Sequence, residues 1–162
     1  MLTPRRNKLQ RGQSFVELSL SLVVLILLLS GLLDLGRLYF IYIALEDGAG
    51  EAALFLSINP ECPCAPDDTV CYARSHVTSV PASCADPNNA DYRARHAGGE
   101  VVDWQAANIT IKTLSPSVGD PVDVSIEYSF PLLTPIIPKV VGVNPMTLRA
   151  EASQIILTEK TP

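Results

Sequence analysis

The sequence predicts an α+β protein. A long N-terminal transmembrane α-helix packs its outer half on a small antiparallel sheet of about three strands, with a disulfide-bearing loop region between. Three observations carry this. Phe15 to Leu33 is an apolar run whose only charge is Glu17. All four cysteines, Cys62, Cys64, Cys71 and Cys84, follow it within one short segment. From Glu100 onward, apolar and polar residues alternate with the period of half-buried strands.

These patterns divide the chain into four parts. Residues 1–12 form a basic cytoplasmic leader without fixed structure. Residues 13–58 form the long helix, membrane-spanning in its first half. Residues 59–99 are the cysteine-containing loop region, and 100–162 the C-terminal antiparallel β region. The 162 residues have the length of one domain, but the first third is too apolar to be globular. About a hundred residues remain for one small core.

The charge of the leader sets the topology. Arg5, Arg6, Lys8 and Arg11 are basic, and no acid precedes Glu17. Without these four positives the net charge falls from −5 to −9. An acidic body argues against nucleic acid as a partner. A basic head beside an apolar span stays on the cytoplasmic side. The expected location is therefore the cytoplasmic membrane, single-pass, with membrane lipid as a partner and the C-terminal body extracytoplasmic.

As a helix, the run from Phe15 to Leu33 is about 28 Å long, close to the thickness of a bilayer's hydrocarbon core. Ser19, Ser21 and Ser30 do not interrupt it, because hydroxyls bond back to the preceding turn. Gly31 and Gly36 are either close-approach positions for another helix or local weak points; the sequence leaves both open. Asp34 and Arg37, three residues apart, can form a juxtamembrane pair on one face. Tyr39 and Tyr42 suit the membrane–water boundary. Nothing breaks the helix before Pro60, so one continuous helix is expected from about Gln13 to about Ser57.

In the loop region, Asp67 or Asp68 can cap a short helix through TVCYARSHVTSV, closed by Pro81. The rest reads as turns. Outside the cytoplasm the four cysteines form two disulfides. A Cys62–Cys64 bridge would close a very tight loop, which leaves the two pairings that join both residues to Cys71 and Cys84. A four-thiolate zinc site is the weaker alternative, because paired C-x-x-C knuckles are missing.

Asn108–Lys112 and Val122–Tyr128 are the best strand candidates, joined by a turn at Ser117–Pro121. After Phe130, an apolar connection broken by prolines leads to a third strand, roughly Met146 to Leu157. Three such strands on the outer half of the helix would bury both apolar faces.

No catalytic constellation, cofactor motif or metal-ligand spacing stands out, so neither an enzyme nor a bound metal is expected. His76 and His96 lie among loop arginines and read as exposed and inert. Asp67, Asp68, Asp120 and Asp123 read as solvated charges or turn formers. Asn108-Ile109-Thr110 fits a glycosylation acceptor, a pattern strands often meet by chance.

Glu17 is the exception. A carboxylate inside an apolar helix is costly and is usually kept for a partner. It could instead be solvated at the headgroups, about one turn in from Gln13. However, Gly12 precedes it by five positions (17 − 12 = 5), and there the basic head ends and the apolar run begins.

This arrangement resembles the leader of type IV prepilins, most closely the TadE-like family of tight-adherence (Flp-type) pilus systems. RGQSFVEL is similar to the family's opening, Asp34-Leu35-Gly36-Arg37 to its D-x-G-R signature, and Ala49-Gly50-Glu51-Ala52-Ala53 to the small-residue segment that follows. The resemblance covers about residues 11–55. It implies cleavage after Gly12 by a prepilin peptidase, a mature N-terminus at Gln13, and a Glu17 that sets subunit register. It also implies other pilin subunits and the pilus assembly platform as partners. Leu18 stands where major Flp pilins carry tyrosine, and the body is longer than theirs. Both departures favour a minor pilin or pseudopilin. The alternative is a bitopic membrane protein with a small extracytoplasmic binding domain unrelated to pili. A secreted domain behind an ordinary signal peptide is weaker still, because no small-residue cleavage site follows the run.

Overall fold

A computed structural model describes residues 9–113, 117–132, 142 and 145–158. Most of the leader, and most of the proline-broken connection after Phe130, lie outside the described residues.

The first element, α1, runs from Leu9 to Ile58 without interruption. It starts four residues before the expected Gln13. Leu9, Gln10 and Arg11 favour helix, and no breaker separates them from the apolar run. At 1.5 Å per residue, its 50 residues extend about 75 Å. Among the described residues, the body is packed on the outer half. Its buried face is Ile41, Ala44, Leu45, Ala49, Ala52, Ala53 and Leu56, a stripe at helical spacing.

The sheet has three antiparallel strands in the order β1 (Asn108–Thr113), β2 (Pro121–Phe130) and β3 (Met146–Ile155). In the register, Ile111 pairs with Val124 and Ile126 with Ala150, so side chains alternate cleanly between faces. Ile109, Ile111, Val122, Val124, Ile126, Phe130 and Ala150 point into the core. Lys112, Asp123, Glu127, Arg149 and Glu151 are on the opposite, exposed face. β3 ends at Ile155, two residues earlier than expected. The chain beyond it turns to α1, where the Leu157 amide donates to Ser57 O at 2.7 Å.

The loop region differs most from expectation. α2 (Thr69–Ser75) begins as expected: the Asp68 carboxylate accepts hydrogen bonds from the amides of Val70 and Cys71. It ends well before Pro81, because His76 takes the left-handed conformation, φ 53°, and its amide bonds Tyr72 O. A second helix, α3 (Ala90–Ala97), occupies residues that read as turns. Asn89 caps it, accepting from the Tyr92 amide at 2.8 Å. Its first two amides donate to Cys62 O and Pro63 O, which satisfies donors an exposed helix start leaves open.

α3 packs on α1, while α2 lies against β1. The two bridges are Cys62–Cys84 and Cys64–Cys71, with Cα separations of 5.1 and 5.9 Å, ordinary for disulfides. They realise one of the two pairings the sequence left open. The outer half of α1 is therefore held between the sheet and a disulfide-braced helical segment.

Candidate functional site

The candidate site is the inner half of α1 and the rim where it enters the body. Every residue from Gln13 to Leu29 is exposed, most of them Leu, Val or Ile. Phe15, Leu20 and Leu28 are each about 70% exposed. Monomers in water rarely present so large a continuous apolar surface. Among the described residues this is the one helix long and apolar enough to cross a membrane.

Glu17 lies at the leading edge of this surface and is itself exposed. Gln13, one turn earlier, donates from Nε2 to Glu17 Oε1 at 3.2 Å, a pairing that i, i+4 spacing on a helix allows. Ser19 bonds back to Phe15 O at 2.8 Å, so its hydroxyl is partnered on this apolar surface. Gly12 lies within α1, one residue before Gln13.

Asp34 marks the entry to the body. It is 4% exposed, the first buried residue of the helix, and its Oδ1 is 4.0 Å from Arg37 Nη1. Arg37 also lies over the Phe130 ring, 5.3 Å from its centroid. The end of β2 therefore sits at the rim where α1 enters the body, a contact that sequence spacing does not reveal. Tyr39 and Phe40 are exposed just beyond. Glu17 and the Asp34–Arg37 pair are not brought together, since they stand about 26 Å apart along the axis. The cysteines form neither group's surroundings; they brace the body.

Gly36 is not closely packed: an added Cβ there would meet nothing within 4 Å. The close approach is at Gly48, where a Cβ would come within 2.7 Å of Ala94 O and 3.0 Å of Trp104 Cη2. Gly98 is equally confined, by Ala44 O and the Trp104 ring. Arg93 fastens the same contact, pairing with Glu51 at 3.2 Å and lying over Phe55. The sequence does not reveal this contact between α1 and α3. The available signal was Asn89 as a cap, followed by Ala90 and Ala94 one turn apart.

His76 and His96 are exposed, and His96 stacks on Tyr92 at 3.8 Å. A cleft on the outer sheet face, about 280 Å³, has Lys112, Asp123, Ser125 and Glu151 among its lining residues. Among the described residues, no group of three or more His, Cys, Asp or Glu side chains could hold a metal.

No curated protein and no solved structure matches this chain. A model of the family described as TadE-like protein does match, over residues 12–54. That stretch begins at Gly12 and ends on the body-packed half of α1, and over it the chain is similar to the TadE-like family.

Proposed function

We propose that this chain is a structural, non-enzymatic minor pilin or pseudopilin that takes part in assembly of a tight-adherence type IV pilus, after leader cleavage following Gly12. The observation that supports it best is the placement of Glu17. It lies five residues after Gly12, exposed, where a wholly exposed apolar helix begins, inside the TadE-like segment.

In this reading the basic leader stays in the cytoplasm and the disulfide-braced body outside, where its bridges persist. A prepilin peptidase removes residues 1–12 and leaves a charged amine on Gln13. That amine pairs with Glu17 of a neighbouring subunit. At low dielectric a mis-registered neighbour leaves a charge unpaired, which is strongly unfavourable, so the pair sets register. The apolar surface from Phe15 to Leu33 serves twice, first in lipid and then against other pilin helices. The exposed charges on the outer sheet face keep the body soluble beside its neighbours.

The test has two parts. Intact-mass analysis of native protein should give Gln13 as the first residue; a retained leader would favour the bitopic alternative. Glu17→Ala should be cleaved and remain in the membrane but be lost from sheared pili. Incorporation at the wild-type level would refute the register role.

A further inference from the structure

We infer that Gln13 is a latent site of N-terminal cyclisation and that Glu17 suppresses it. The inference rests on the proposed cut after Gly12, which turns an internal glutamine into an N-terminal one.

An N-terminal glutamine has an intrinsic reaction open to it. Its α-amine attacks the side-chain Cδ, an N–Cδ bond forms, the Cδ–Nε2 bond breaks, and ammonia leaves. The product is a five-membered lactam, pyroglutamate. No oxidant, reductant or co-reactant is needed. Two groups are lost to the proposed assembly: the amine, which becomes an uncharged amide nitrogen, and the Nε2 donor. A cyclised subunit could neither offer a cation to a neighbour's Glu17 nor hold its own.

The geometry supplies a restraint. Gln13 Nε2 donates to Glu17 Oε1 at 3.2 Å. To close the ring, the carboxamide must give up that bond and fold back on its own nitrogen. Few alternatives await it, since the residues that follow on the helix, Phe15, Val16 and Leu18, are exposed and apolar. The carboxylate thus has an intrachain task before it has an intersubunit one: it occupies the leaving amide until a neighbouring subunit arrives. Gln13 in turn gives Glu17 a donor while the subunit is alone, which reduces the cost of a carboxylate at the edge of lipid.

The experiment places the cut in vitro, with a site-specific protease site engineered immediately ahead of Gln13 in the full chain, so it does not depend on cellular processing. Purified protein in detergent is cleaved, incubated at neutral pH, and the 17 Da loss of ammonia is followed by N-terminal peptide mass. Glu17→Leu, which has no acceptor, should cyclise roughly fivefold faster than wild type, the ratio that a typical net hydrogen bond corresponds to. Glu17→Gln, which keeps an acceptor oxygen, should stay close to wild type. Equal rates in all three proteins, including no cyclisation in any, would overturn the inference. Glu17→Gln cyclising as fast as Glu17→Leu would overturn it too. The N-terminus of native protein is read separately: a retained leader there defeats the pilin reading, whatever the rates in vitro.

Discussion

The two halves of α1 have the same backbone and opposite surroundings. The inner half, from Gln13 to Leu33, presents bulky aliphatic side chains in every direction and, among the described residues, is exposed throughout from Gln13 to Leu29. The outer half buries a stripe in which Ala44, Ala49, Ala52 and Ala53 outnumber Leu45 and Leu56. Lipid chains would adapt to any side chain, so as a candidate membrane span the inner half needs only to be apolar. A sheet and a second helix stand at fixed distances, so the outer half needs small residues where backbones approach. The composition of a helix thus reports what lies against it, and the difference separates the half that is packed within this chain from the half that is exposed.

The comparison breaks most visibly if leucines in the two halves are equivalent. Leu45 is fully buried between the layers, and Leu25 is 52% exposed on the inner half. Leu45→Ala should destabilise the body by about 3 kcal/mol, from lost burial plus the cavity left behind. Leu25→Ala should leave body stability unchanged. Both are measurable by urea titration of the full chain in detergent. The only tryptophan, Trp104, packs at Gly48 and Gly98 and is the natural probe. Equal losses at the two sites would mean that the inner half is packed in the free subunit after all.

The bridges sharpen the same contrast, because they act on one side of it only. Cys62–Cys84 joins residues 22 apart, and Cys64–Cys71 residues 7 apart. On a chain-entropy estimate, removing the first as a Cys→Ser pair costs about 3 kcal/mol and the second about 2.5 kcal/mol. The longer loop should matter more, since Cys62 O also holds the start of α3. Neither removal should alter insertion of the span, read by carbonate-resistant membrane association. Loss of association would show that the span depends on the body.

The division between the halves was legible in the sequence, while much of the packing was not. The apolar run, the strand alternation and the Asp68 cap are local signals, and each predicted its element. The positions of Gly12 and Glu17 were legible in the same way, as a spacing. α3 was hidden because its eight residues carry four charged or histidine side chains beside a cluster of turn formers. A helix that short is marginal alone. It is held by distant partners: Cys62 O and Pro63 O at its start and α1 along its face. Arg37 over Phe130 is equally non-local, since 93 residues separate the two (130 − 37 = 93).

The glycines give the smallest expected effect and the most specific one, because its sign should change along a single helix. Replacing an interior helical glycine by alanine favours the helix by up to about 1 kcal/mol. At Gly36 nothing opposes this, as no atom lies within 4 Å of the new Cβ. Gly36→Ala should therefore be neutral or stabilising by about 0.5–1 kcal/mol. At Gly48 the same methyl meets Ala94 O, Trp104 and Ile126. Relieving that overlap means moving α3 off α1, at a cost of about 1–3 kcal/mol that outweighs the gain in propensity. Gly48→Ala should therefore be destabilising by about 1 kcal/mol net, with a shifted Trp104 emission in the folded state. If assembly brings a neighbouring helix against the rim, Gly36→Ala should also lower incorporation into pili while sparing the free subunit. A Gly36→Ala protein that incorporates normally would mean that no helix approaches there, and that Gly36 is only a weak point the span tolerates.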